Sequence, residues 1–337
     1  RGRRRAAARR LLLRAEAHHG NVALEGGPRV GYLPVLYSAQ GAVAARAEDQ
    51  DGDSVLVFRA NDLSALHVAW QYFVNGVSYP FLKHSLHPFF GVYFTPTPIE
   101  HFLLLTDWLE SHPDALASAG ARALDLGTGC GVVSFLLRER RTNLDVVASD
   151  ICPNAVFSVQ NEVARWGATG VDVVESDLFA GLEGREPFDV VIFNPPWIPR
   201  SPAAGELEGQ ASQDASYEVA RGEGDVAGGN DYPPELFGRL FEEAPRFLRP
   251  GGRLLVLFSD YAESRGLVER SPLMPFADSS GGLGGGAPSP LTLLGVTRRP
   301  VAPKRRSRHR MTQRDKRWAL EREHSVELWE FSMVTTP

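Results

Sequence analysis

Cysteine is scarce in this chain: Cys130 and Cys152 are the only two among 337 residues. Two thiols so placed form no metal-ligand pattern and no disulfide framework, which fits a reducing compartment. Long apolar runs are also missing. None reaches the roughly 18–20 residues that a membrane span needs, so no membrane partner is expected. An overall excess of base is absent as well. The formal net charge is −5, which argues against a generic nucleic-acid binder. What remains is an ordinary globular composition, 43% hydrophobic and 23% charged, able to bury a sizeable core. The length suits roughly two domains, or one domain with a large extension.

The average charge hides local asymmetry. Residues 1–14 carry seven arginines and no acid, and 1–20 read as a basic disordered arm. The first fourteen residues also lack serine, which weakens a reading as an organelle transit peptide. Leu11–Leu13 is too short for a secretory signal core. The expected location is therefore cytoplasmic, or an organelle if the arm is a transit peptide after all. Residues 21–90 read as an accessory region of mixed character. Within it, Ser54–Arg59 looks like a strand, and Asp62–Phe73 has helical spacing of apolar residues. An amphipathic helix is expected over Ile99–Leu109, after Pro96-Thr97-Pro98.

From residue 121 short apolar strands alternate with helical segments. Strands are expected at Ala121–Leu126, Val146–Asp150, Val171–Glu175, Phe188–Phe193 and Arg253–Phe258, with a turn at Pro250-Gly251-Gly252. Helices are expected near Val132–Leu137, Pro153–Trp166 and Pro233–Leu248. Val326–Met333 alternates as a final half-exposed strand should. Such alternation means a parallel sheet covered on both faces, with ligands held beyond the C-terminal strand ends. Residues 271–290 are rich in Gly, Ser and Pro and read as a flexible loop.

Every chemically suggestive motif falls at such a strand end. Asp125-Leu126-Gly127-Thr128-Gly129-Cys130-Gly131 follows the first strand. Glycines there let backbone approach a ligand closely. A dinucleotide fold wants Gly-x-Gly-x-x-Gly, a spacing this loop lacks, and an acid at 125 is unhelpful beside a pyrophosphate but useful beside a cation or an amino group. Asp150 ends the second strand, nineteen residues after Gly131, where a carboxylate can accept both hydroxyls of a ribose. As a purely structural residue it would cap the helix beginning at Pro153.

Taken in order, Asp125-x-Gly127-x-Gly129-x-Gly131, Asp150, Ser176-Asp177-Leu178 and Asn194-Pro195-Pro196-Trp197 resemble the motifs of class I S-adenosylmethionine-dependent methyltransferases. The resemblance covers about residues 91–260. It implies an α/β, Rossmann-like fold: a mostly parallel seven-stranded sheet with helices on both faces, occupying residues 91–337 behind a mixed N-terminal extension. It also implies S-adenosylmethionine as cofactor. Asp125, Gly127, Thr128, Gly129 and Gly131 would hold its methionine part, Asp150 with Ile151 the ribose, and Asp177 with the Leu178 backbone the adenine. Gly91–Pro96, with Thr95 and Pro96, resembles the segment that closes over the cofactor carboxylate in amino-directed relatives.

The Asn194-Pro195-Pro196-Trp197 corner invites a chemical reading. A planar nitrogen, in an amide or a base amine, has a delocalised lone pair and is a poor nucleophile. Two acceptors aimed at its N–H bonds would polarise it. The Asn194 side-chain oxygen is one and the Pro195 carbonyl the other, with Pro195 and Pro196 locking that carbonyl's direction. Trp197 would stack on the flat group and fix its orientation. A strand-ending Pro-Pro turn with a packed Trp is the plain structural alternative. Phe193–Pro199 is also similar to the corresponding stretch of release-factor glutamine N5-methyltransferases, which usually carry Tyr where this chain has Trp197, and Gly228-Gly229-Asn230-Asp231 resembles their Gly-Gly segment.

One block departs from that family. Residues 298–317 hold ten basic side chains against Asp315 alone, which suits phosphate contacts and an RNA, DNA or ribosomal partner, or else a solvated loop. The acceptor is therefore expected to be a protein glutamine amide, as in release factors, or a base amine in RNA or DNA. A catalytically silent cofactor-binding protein and a dinucleotide oxidoreductase are the readings from other classes; the intact acids and the glycine spacing argue against them.

Overall fold

The computed structural model describes residues 69, 71–89, 91–95, 99–200, 231–277, 290–301 and 324–334, together with the backbone of four short strands nearer the N-terminus. Those four form two antiparallel pairs, Ala15–His18 with Asn21–Leu24 and Ala45–Glu48 with Ser54–Val57. The first of these strands lies within residues 1–20, the rest of which fall outside the described residues.

The body is built on one seven-stranded sheet. In chain order its elements are α1 (Glu100–Ser111), β1 (Arg122–Leu126), α2 (Val132–Arg140), β2 (Asp145–Asp150), α3 (Pro153–Trp166), β3 (Val171–Glu175), β4 (Phe188–Phe193), α4 (Leu236–Glu243), β5 (Leu248–Ser259), β6 (Leu291–Pro300) and β7 (Ser325–Met333). The strands lie in the order β6-β7-β5-β4-β1-β2-β3. Only β7 runs against the rest, pairing antiparallel with both β5 and β6.

Alternate side chains of the central strands serve opposite layers, as the pleat requires. On β4, Val190 and Ile192 join the cluster containing α1, α2 and α3, while Val191 and Phe193 join the cluster under α4. On β5, Leu255 and Leu257 go one way and Leu254, Val256 and Phe258 the other. Both faces are covered, so these strands read as continuous apolar runs. Residues 77–89 do not form a core of their own. Leu86 and Phe89 are buried in the cluster of α1–α3, and the rings of Tyr79 and Phe81 lie against Phe102 of α1.

Several boundaries differ from the sequence reading. Pro250-Gly251-Gly252 is not a turn before β5 but an irregularity inside it, where the pairing with β4 shifts between Leu248 and Arg253. A side chain at Gly252 would meet the Arg249 carbonyl at 2.8 Å, so the chain bends there without one. The helix expected over 233–248 is only α4, closing in a 3₁₀ turn at Ala244–Phe247. The expected flexible loop at 271–290 begins with ordered structure: Leu273 is fully buried and Met274–Ala277 form a helical turn. The remainder of that loop lies outside the described residues, as does most of 21–68 and residues 302–317 of the basic block. Arg298 and Arg299, at the head of that block, belong to β6. They are spent on Glu327 (2.6 Å) and Asp107 (2.5 Å).

Candidate active site

Sheet topology creates the site. β1 lies beside β4, yet the chain leaves β1 toward β2 on one side and β4 toward β5 on the other. A crevice opens where neighbouring connections diverge, beyond the strand C-termini. Leu126 pairs with Phe193, so Gly127 and Asn194 leave the sheet side by side. The contact is close: a Cβ on Gly127 would lie 3.1 Å from the Phe193 ring. The glycine loop and the Asn-Pro-Pro-Trp corner are thus brought together by register, not by their spacing along the chain.

The loop is braced from within. Asp125 is buried, and its Oδ2 accepts from the Thr128 hydroxyl (2.6 Å), the Ser134 amide (2.9 Å) and the Ser134 hydroxyl (2.7 Å). Burial pushes its carboxyl up to about 6 against these three donors, which pull it down. Asp125 therefore ties β1 to the start of α2. The Thr128 amide donates to the Ser149 carbonyl of β2 at 2.9 Å, and Thr128 is itself buried. Gly131 precedes α2 at φ 89°, a left-handed conformation, with the Phe135 ring 2.9 Å from where a Cβ would stand. Gly129 also has positive φ, and a Cβ there would meet the Tyr93 carbonyl at 3.0 Å. The segment ending at the buried Thr95 therefore runs directly over the loop. Pro96 is outside the described residues.

Asp150 sits half-buried at the end of β2. Its Oδ2 accepts from the Gly129 amide at 2.8 Å and its Oδ1 from the Cys152 amide at 2.9 Å. Burial raises its carboxyl above the usual range, and these amides oppose the rise. The carboxylate links the two loops, but it is not the cap of α3, whose first turn starts at Cys152 without a side-chain cap. The next side chain, Ile151, is an apolar group 64% exposed at the strand end.

After β3, Leu178 is buried with φ 47°, and among the described residues it is the only one other than glycine at positive φ. A leucine held there costs on the order of 1–3 kcal/mol, a strain that gathers at functional turns. The Ser176 hydroxyl holds the turn, donating to the Leu178 carbonyl (2.7 Å) and accepting from the Gly181 amide (2.9 Å). Asp177 is exposed and takes both carboxylate oxygens to Arg239 of α4, each at 3.1 Å. Arg239 carries no motif of its own, and the pair joins residues 62 apart.

The corner after β4 is different in kind. Pro195 is buried, and Asn194, Pro196 and Trp197 are half-buried. The Asn194 Oδ1 is buried and receives no hydrogen bond. Trp197 is fixed by its own indole N–H, which donates to the Leu257 carbonyl of β5 at 3.3 Å. Its ring meets His101 of α1 edge to face, with centroids 5.0 Å apart and planes at 87°. His101 is completely buried, neither ring nitrogen has a partner, and burial lowers its imidazole to about 3. Sequence reading passed over this histidine, since a lone His on an apolar helix face carries no motif.

A sheet in this order with one reversed strand, a glycine loop after β1 and acids after β2 and β3 define the class I methyltransferase fold. Within it, residues 104–207 match the methyltransferase small domain. The chain is similar to the release factor glutamine methyltransferase of Geobacter sulfurreducens, 31% identical over 140 residues, 42% of this chain and 46% of that one. It is likewise similar to the ribosomal protein uL3 glutamine methyltransferase of Xanthomonas campestris, 31% identical over 156 residues, 46% of this chain and 47% of that one. The chain thus spans about half the length of these relatives. Among solved structures, the METTL16 methyltransferase domain superimposes with a TM-score of 0.42 at 12% identity over 93% of this chain and 94% of that one; no conclusion rests on that likeness. Among the described residues, no helix is long and apolar enough to cross a membrane.

Proposed function

We propose that this protein transfers a methyl group from S-adenosylmethionine to the side-chain amide nitrogen of a protein glutamine. The observation that carries the reading is the buried, unpartnered Oδ1 of Asn194 at the end of β4. An acceptor shut away from water without a donor costs about 1–3 kcal/mol. It is tolerated where a ligand supplies the missing N–H, and an amide or amino nitrogen is that ligand. The glutamine methyltransferase names of the relatives support an amide over a base amine.

The residues fit the cofactor. Gly129 leaves no room for a side chain beneath Tyr93, and the Asp150 carboxylate stands at a strand end with its lone pairs only partly used. Gly127, Thr128, Gly129, Gly131 and Thr95 would surround the methionine part, Asp150 and Ile151 the ribose, and Asp177 with the Leu178 backbone the adenine. Asp125 acts one step back, by stiffening the loop. When bound, the cofactor supplies a methyl group on a positively charged sulfur.

This chain's own work is on the acceptor. Asn194 Oδ1 and the Pro195 carbonyl receive the two N–H bonds of the amide and draw its lone pair out of conjugation. The prolines hold that carbonyl rigid, so little reorganisation is needed as charge develops. Trp197, anchored through Leu257, offers a flat wall that orients the group. Alignment supplies much of the rate in such a displacement.

The test is methyl transfer from cofactor labelled in its methyl group to a folded acceptor protein bearing an exposed Gly-Gln. Label on that glutamine, absent when the glutamine is changed to Glu, is expected. Label in RNA with none in protein would replace this reading with the base-amine one.

A further inference from the structure

A glutamine amide has three polar ends, and the reading above accounts for two. Its N–H bonds go to Asn194 and Pro195. Its carbonyl oxygen needs a donor, because a polar atom drawn out of water without a partner weakens binding. Among the described residues, two N–H groups on aromatic rings stand at this corner. The indole N–H of Trp197 is already given to the Leu257 carbonyl. The other belongs to His101, whose ring is packed against Trp197.

His101 is an anomaly as a core residue. It is fully buried beside Phe102, with ring centroids 3.9 Å apart, and Trp197, and both nitrogens lack partners. A phenylalanine would make the same edge-to-face contacts and bury no polar atom. Buried polar groups are nearly always hydrogen-bonded, and exceptions call for a reason. Burial also keeps the ring neutral, so it holds one N–H to give and brings no charge that would repel a cationic sulfur.

We propose that His101 is the third contact of the acceptor site: its imidazole N–H donates to the carbonyl oxygen of the glutamine amide whose nitrogen Asn194 and Pro195 receive. This inference rests on the amide reading and deepens it. The role is to bind and orient. A donor on the carbonyl does nothing to free the nitrogen's lone pair, so the benefit falls on acceptor recognition, and an acceptor amine without an adjoining carbonyl gains nothing from it.

The test compares His101→Phe and His101→Gln with the wild type, using the intact chain, labelled cofactor and a Gly-Gln acceptor protein. His101→Phe should raise the acceptor KM by about tenfold, the scale of a lost hydrogen bond in a dry site. Cofactor affinity by calorimetry should stay within about twofold, since that contact is not to the cofactor, and the melting temperature should hold or rise, because an unpaired polar group has been removed. His101→Gln restores an N–H donor and should recover much of the KM. A His101→Phe enzyme with wild-type KM overturns the proposal while leaving the amide reading intact. Should His101→Phe fail to fold, His101→Gln and His101→Ala decide together: a KM near wild type for Gln with one raised about tenfold for Ala supports the contact, and equal KM values for the two variants overturn it. A wild-type enzyme inactive on any amide acceptor removes both the reading and this contact.

Discussion

The two halves of the candidate site are built on opposite principles. On the side proposed for the cofactor, the carboxylates and the hydroxyl that brace the loops are already hydrogen-bonded within the protein, although the Ser149 hydroxyl beside them is buried without a partner. Asp125 Oδ2 takes three donors, Asp150 takes the amides of Gly129 and Cys152, and Ser176 holds the Leu178 turn. On the acceptor side the polar atoms are left over: Asn194 Oδ1 and both nitrogens of His101 are buried without partners. A half whose bonds are already made keeps its shape when empty. A half with unmade bonds is complete only with its ligand, and its unpaired groups favour ligands that supply the missing donors and acceptors. On the proposed reading, this contrast divides preorganisation for a common cofactor from selection of a particular acceptor.

Three measurements break or sharpen that contrast. The largest effect is expected at Asn194. Asn194→Ala should lower kcat by about 10²–10³, the usual loss for one preorganised group at developing charge, and leave cofactor affinity nearly unchanged. A comparable loss of cofactor affinity would erase the division between the halves. Next in size is Asp150→Ala. Charge-assisted hydrogen bonds contribute about 1.5–3 kcal/mol each, so S-adenosylmethionine should bind at least about tenfold more weakly to the folded variant by calorimetry. Unchanged binding would remove Asp150 from the cofactor site.

The smallest effect is in acid stability and pits the two halves directly against each other. Burial raises Asp125 from 3.8 to about 6, so its favourable contribution is complete below its unfolded value and is lost as pH rises through about 6. Burial lowers His101 from 6.5 to about 3, so its contribution is complete above its unfolded value and is lost as pH falls toward about 3. Between about pH 4 and 6 the two slopes oppose, each at most about 1.4 kcal/mol per pH unit. Denaturant unfolding across that window should show His101→Phe losing stability relative to wild type as pH rises, and Asp125→Asn gaining it. Parallel curves for the two variants would show that neither group titrates as its burial implies.

The alternation of strands and helices is legible because the strands are short, mostly apolar segments set between helical ones, and their ends carry the recognisable motifs. The glycine loop and the Asn-Pro-Pro-Trp corner could be read because each is contiguous. Arg239 against Asp177 and His101 against Trp197 could not, since each pair meets only when helices fold across strand ends. The bend at Gly251-Gly252 was misread as a turn because a bulge and a turn draw on the same residues. In the sequence Arg298 and Arg299 head a basic block, yet their partners Glu327 and Asp107 lie far along the chain on β7 and α1.

The pairing of Leu126 with Phe193 also governs which changes of length the gene can accept. Side chains alternate faces along a strand, so one residue inserted within β4 turns Asn194 to the opposite face. The Phe193 ring, which lies 3.1 Å from where a Cβ on Gly127 would stand, would be shifted out of that contact as well. Relatives that keep the corner should therefore hold their length along β4, the chemistry being set by counting residues along that strand as much as by which residues they are.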